Sequence, residues 1–119
     1  MIVFASRTGN VRYIVQKLGC PASELTEAMN VEQSFILFTY TDSLGNVPQT
    51  VLRFLEQYAS FCIGTFISGN RNFGALFAGA GREIEQRFDI PTLYTVDLRG
   101  FPSDYDVMKK IYNEMMVTS

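Results

Sequence analysis

Histidine is absent from the 119-residue chain, and with it go the commonest metal ligand, the commonest general base and the usual switch near neutral pH. Chemistry must then come from a bound molecule or from carboxylates, and no metal site is expected. The two cysteines, Cys20 and Cys62, lie far apart in no Cys-x-x-Cys pair, so neither a disulfide framework nor a thiol redox motif is indicated. Charge of one sign is missing too: ten basic against twelve acidic side chains leave a formal charge of -2, too balanced to grip nucleic acid by its phosphates. No apolar run approaches the roughly 20 residues of a membrane span, and no basic leader precedes the first apolar residues. The expectation is a cytoplasmic protein with neither a nucleic-acid nor a membrane partner.

What is present is an ordinary globular composition, 47% apolar and 18% charged, in a chain long enough for one three-layer core. A single domain over residues 1–119 is expected. Ile2–Ala5 reads as a buried strand. Val11, Ile14, Val15 and Leu18 then follow the i, i+3, i+4, i+7 rule of a helix that Gly19 and Pro21 stop. Ala22–Leu25 is a weak candidate strand, and Phe35–Phe38 a continuous apolar run suited to a central strand covered on both faces. Pro48 fits the first turn of a second helix striped by Val51, Leu52, Leu55 and Tyr58. Cys62–Ile67 is another buried strand, and Phe77, Ala80, Ile84 and Phe88 mark a third helix, with Gly79 and Gly81 inside it to let it lie close on the sheet. Thr92–Leu98 alternates as a less buried strand does. Ser103 and Asp106 resemble a capping box for a last helix carrying Met108, Ile111, Tyr112 and Met115. Strands alternating with helices predict an α/β three-layer sandwich around a parallel sheet, with ligands bound at the carboxyl ends of its strands.

Three irregular loops should converge there. Ser6-Arg7-Thr8-Gly9-Asn10-Val11 joins a strand to a helix, where free backbone N–H groups and the positive end of the helix dipole face outward. The Ser6 and Thr8 hydroxyls can donate to a phosphate, and Gly9 permits the turn; the same residues also read as an Asn-capped turn without a ligand. The loop is neither a Walker A sequence nor Gly-x-Gly-x-x-Gly. It lacks the cysteine of a low-molecular-weight phosphatase, and Asp42 stands alone where a receiver domain needs clustered aspartates. The second loop, Thr41-Asp42-Ser43-Leu44-Gly45-Asn46-Val47, combines polar groups with a glycine that could flip its peptide at little cost. The third runs Ser68-Gly69-Asn70-Arg71-Asn72-Phe73-Gly74 and offers an aromatic between amides, as a planar heteroaromatic ligand requires.

"SRTGNV", "TYTDSLGNVP" and "SGNRNFG" together resemble the NrdI family of flavodoxin-like proteins over nearly the whole chain. The resemblance implies a flavodoxin-like fold with five parallel strands in the order 2-1-3-4-5 and helices on both faces. It implies FMN as cofactor, its phosphate on Ser6, Arg7, Thr8, Gly9, Asn10 and Val11. The ring would lie among Tyr40, Thr41, Leu44, Gly45, Asn46, Ser68, Gly69, Asn70, Asn72, Phe73 and Gly74. Phe73 would stack, and either Tyr40 or Leu44 would form the second wall. No side chain is expected to be catalytic, because the chemistry belongs to the flavin. Reduced by a flavodoxin or flavin reductase, the protein would convert dioxygen to superoxide or peroxide. That oxidant would serve assembly of the dimanganese-tyrosyl radical cofactor in the class Ib ribonucleotide reductase small subunit, with Arg71 as a partner contact. Val11 stands where ordinary flavodoxins carry Thr, and Ala75 where some family members carry an acid. The alternatives are a short-chain flavodoxin acting as a general one-electron carrier, and a flavin-free interaction domain.

Overall fold

The computed structural model describes residues 1–42 and 44–118, without the side chain of Thr118. The strands are β1 (Ile2–Phe4), β2 (Ala22–Glu24), β3 (Phe35–Tyr40), β4 (Cys62–Gly69) and β5 (Thr92–Asp97). The helices are α1 (Asn10–Leu18), α2 (Gln49–Tyr58), α3 (Gly79–Phe88) and α4 (Pro102–Thr118). All strand pairs are parallel, as the alternation of strands and helices predicts, in the order β2-β1-β3-β4-β5 that the family resemblance implies.

Because successive strand residues face opposite sides, the apolar runs of the central strands feed two cores. Val3, Phe35, Leu37 and Ile67 meet Val51, Leu52 and Leu55 of α2 and Ala80 and Ile84 of α3. On the other side Ile2, Phe4, Ile36, Phe38 and Phe66 meet Val11, Ile14, Val15 and Leu18 of α1 and Met108 and Tyr112 of α4. Helices α1 and α4 therefore share one face of the sheet. β2 is the exception to burial, with Ala22 and Glu24 exposed, and its place is set by backbone pairing to β1 and an Arg12–Glu24 ion pair.

Several boundaries differ from the sequence reading. Pro48 precedes α2 instead of lying in its first turn, and its carbonyl accepts the N–H groups of Val51 and Leu52 at 3.0 and 3.1 Å. Phe77 lies before α3. Gly79 and Gly81 sit in its first turn: Gly81 approaches Thr92 and Ile67 of the sheet, but Gly79 faces the carbonyl of Gly45. The cap of α4 is formed by Asp104, not by the Ser103–Asp106 pair. Pro102 occupies the first helical position, so the residue before it is Phe101, whose N–H donates to Asp104 Oδ2 at 2.7 Å.

Both thiols are free. Burial pushes the Cys62 thiol up from its ordinary 9.0 to about 11, and burial raises the half-exposed Cys20 as well. Since the thiolate is the nucleophile, iodoacetamide at pH 8 is expected to modify Cys20 and spare Cys62 until the protein is unfolded. Equal rates at both in the folded protein would contradict this burial. The folded state holds the Cys62 proton more tightly, so its contribution to stability is complete below about pH 9 and is lost as pH rises towards 11.

Candidate functional site

The carboxyl ends of β1, β3 and β4, with the turn after β5, surround a cleft of about 300 Å³. The β1–α1 loop contributes Ser6, Arg7, Thr8, Asn10 and Val11. Its turn depends on Gly9, which precedes α1 with φ +93°, a left-handed conformation that a side chain would strain. The N-cap of α1 is Gly9, not Asn10, so the Asn-capped turn of the sequence reading is not what forms. Ser6 Oγ accepts the N–H of Arg12 at 3.3 Å, and Asn10 Oδ1 accepts from Arg99 Nε at 3.1 Å. Arg12 and Tyr13 N–H are thus taken, the latter by the Gly9 carbonyl at 2.9 Å, while the N–H groups of Asn10 and Val11 have no intrahelical acceptors, as at any helix start.

Tyr40 and Thr41 continue the wall from β3, and the Arg7 guanidinium lies 5.4 Å from the Tyr40 ring centroid. Thr41 N–H donates to the Ser68 carbonyl at 2.9 Å, tying the β3 and β4 loops together. Thr41 Oγ1 is buried without a hydrogen-bond partner among the described residues. A buried hydroxyl left unpaired costs about 1–3 kcal/mol, and a polar ligand in the cleft would supply the missing partner. Ser68 also lines the cleft, but its hydroxyl donates to the Leu98 carbonyl at 2.9 Å.

Gly69, Asn70 and Phe73 complete the cleft, with Phe73 47% exposed and free to cover a flat ligand. The segment Arg71–Leu76 is a pair of 3₁₀ turns kinked at Gly74, whose φ is +58°. Asn70 Oδ1 accepts the Asn72 N–H, Asp97 Oδ1 accepts the Arg71 N–H, and Arg82 donates to the carbonyls of Ala75 and Phe77. Arg71 lays its guanidinium 5.4 Å from the Phe77 ring centroid. Asn72 and Gly74 shape this segment without lining the cleft.

The second loop is built around Asp42, whose Oδ1 accepts the N–H groups of Leu44 and Asn46, each at 2.9 Å. Leu44, Gly45 and Asn46 stand outside the cleft wall: Leu44 is 72% exposed, and Gly45 packs on Leu76. Ser43 lies outside the described residues. Of the two candidates for a second wall, Tyr40 is at the cleft and Leu44 is not. Sequence reading missed Leu98, which lines the cleft, and Arg99, which reaches Asn10. Both follow β5, whose end reaches the site only through the sheet order.

A hydroxyl-bearing loop on a helix N-terminus, two aromatics and an orphaned buried hydroxyl fit a phosphorylated planar ligand. Among the described residues no cluster of His, Cys, Asp and Glu is placed to hold a metal ion, and no helix is long and apolar enough to cross a membrane.

This sheet order, with its cleft over the carboxyl ends of the strands, defines a flavodoxin-like protein. The same architecture occurs in a short-chain flavodoxin associated with a non-canonical PDU bacterial microcompartment. That match has a TM-score of 0.68 at 17% identity and covers 98% of this chain and 95% of that one.

The family described as "NrdI Flavodoxin like" matches residues 2–110. Protein NrdI of Mesoplasma florum is 34% identical, the match covering 96% of this chain and 83% of that protein. Protein NrdI of Bacillus licheniformis is 32% identical, with 99% and 91% covered. Protein NrdI of Citrobacter koseri is 34% identical, with 96% and 91% covered. The chain belongs to the NrdI family of flavodoxin-like proteins, and that family implies a flavin cofactor.

Proposed function

We propose that this protein holds FMN in the cleft and acts as the oxidant donor to the small subunit of a class Ib ribonucleotide reductase, supporting assembly of its dimanganese-tyrosyl radical cofactor. A flavodoxin or flavin reductase would be its electron source. The observation that carries the reading is an intact cleft at the strand ends, largely apolar in its walls and bearing the Ser6, Thr8 and Thr41 hydroxyls, in a chain that matches the NrdI family over residues 2–110. Bound and reduced, FMN would supply the electrons that convert dioxygen to superoxide or peroxide.

The protein's own residues would bind and orient. The α1 N-terminus and the hydroxyls of Ser6 and Thr8 would take the phosphate, and Thr41 Oγ1 would gain a ligand partner. Tyr40 and Phe73 would cover the ring and thin the water around it. Arg7, in the cleft wall, and Arg71, next in sequence to the cleft residue Asn70, would favour negative charge there. Arg71 would also be available to a partner.

Thr8→Ala and Gly9→Val are each expected to weaken FMN binding about tenfold or more, since a hydrogen bond to a charged group contributes about 1.5–3 kcal/mol. Titration of the apoprotein, followed by flavin fluorescence, measures it. Unchanged affinity in both variants would refute the cradle. The functional test mixes reduced protein and dioxygen with a manganese-loaded class Ib small subunit and reads the tyrosyl radical by electron paramagnetic resonance. Radical formation is expected. Its absence, with the same subunit activated normally by an authentic family member, would leave the general electron carrier as the better reading.

A further inference from the structure

The β1–α1 loop carries hydroxyls, amides and a single cation, Arg7, with no lysine, and a phosphate there would bring more charge than the hydroxyls and amides neutralise. Three arginines lie close by. Arg12 is paired with Glu24, and Arg7 leans on Tyr40. Arg99 is bonded to the loop itself.

Arg99 lies on the turn between β5 and α4, far from the loop in sequence. The sheet order brings it back, because α1 and α4 pack on the same face and begin at the same edge. Its guanidinium is held at 4.6 Å from the Tyr13 ring centroid, and Nε donates to Asn10 Oδ1 at 3.1 Å. Its carbonyl accepts the Tyr105 hydroxyl at 2.7 Å. The side chain is therefore fixed at its tip and its root. Nε is engaged, but the two terminal nitrogens still carry four N–H donors in a planar fork, the geometry that matches phosphate oxygens. Arg99 stands beside the cleft, in a hollow that shares Asn10 and Leu98 with it; Asp97 lines that hollow too, but its Oδ1 accepts the backbone N–H of Arg71. Arg99 has no ion-pair acid among the described residues.

We infer that Arg99 is a specificity-determining residue of the cofactor site, supplying through its fork beside Asn10 the positive charge that makes this protein select the phosphorylated flavin over riboflavin. This rests on the FMN reading of the cleft. Asn10 has a double part, lining the cleft and accepting the hydrogen bond of Arg99 Nε.

The test is a pair of titrations, FMN and riboflavin, on the apoproteins of wild type, Arg99→Gln and Arg99→Lys. Wild type should prefer FMN. Arg99→Gln should weaken FMN about tenfold while changing riboflavin less than twofold, and should flatten the salt dependence of FMN binding. Arg99→Lys should restore part of the preference. Equal loss for both ligands would overturn the inference and make Arg99 a structural tie for the turn. Unchanged preference would overturn it as well and leave the FMN reading standing. A wild-type protein that takes up neither flavin would remove the FMN reading itself.

Discussion

Phe38→Ala is expected to lower the unfolding free energy by about 3–5 kcal/mol. Phe38 lies in the middle strand of the sheet, fully buried, between Phe4 of β1 and Phe66 of β4 in register. Its ring meets that of Phe66 edge-on, with centroids 5.6 Å apart and planes at 75°. Truncation removes this pair and opens a cavity against α1 and α4. Domains of this kind have only about 5–15 kcal/mol in total, so the variant should stand near the limit of folding at 37 °C. Urea denaturation with an unchanged m-value measures the loss. A change below about 1 kcal/mol would mean that the sheet face collapses around the void far more than its packing indicates.

Gly79→Ala is the largest expected effect on the site from a residue that does not line it. A Cβ there would overlap the Gly45 carbonyl oxygen, which is backbone and cannot swing aside. Either α3 or the turn after β3 must shift. The turn is held by hydrogen bonds to Asp42 and begins at Thr41, a cleft residue, so the displacement passes into the cleft. A stability loss of about 1–3 kcal/mol and flavin binding weakened about tenfold are expected. Gly81→Ala is the control, because its Cβ would press on Thr92 and Ile67 of the sheet instead. It should lose stability while keeping flavin affinity within about twofold. Equal loss of affinity in both would show that α3 transmits the strain wherever it is pushed.

The sheet was legible because its strands are continuous apolar runs and its helices carry stripes at helical spacing, patterns written locally in the chain. β2 was barely legible: Ala22 and Glu24 are exposed, and the strand exists because β1 offers it an unpaired edge. The three site loops were legible as breaks after strands, and the structure brings Ser6, Tyr40, Asn70 and Phe73 to one cleft. The contact between Gly79 and Gly45 was not legible, because it joins segments that only the fold brings together. Arg99 was hidden for the same reason, its acceptor lying at the start of the chain. At α4 the error was local: Ser103 and Asp106 have the right spacing, but with Pro102 in the first helical position the helix starts two residues earlier and the cap falls to Asp104.

The middle position of β1 has a consequence for how the molecule is assembled. Its residues Ile2–Phe4 pair with β2 on one side and β3 on the other, so the earliest stretch of the chain gains its second neighbour only after residue 35 has joined. The cleft adds segments around 70 and 98 to the loop that follows β1. The binding surface is a composite of segments spread from Ser6 to Leu98. Capture of the ligand is thus a report that the topology is complete. The captured form is stabilised by mass action, by about 2.7 kcal/mol at a free concentration a hundredfold above the dissociation constant. In a sheet made of slow, long-range parallel pairings, the last step to form would also be the one that locks the rest.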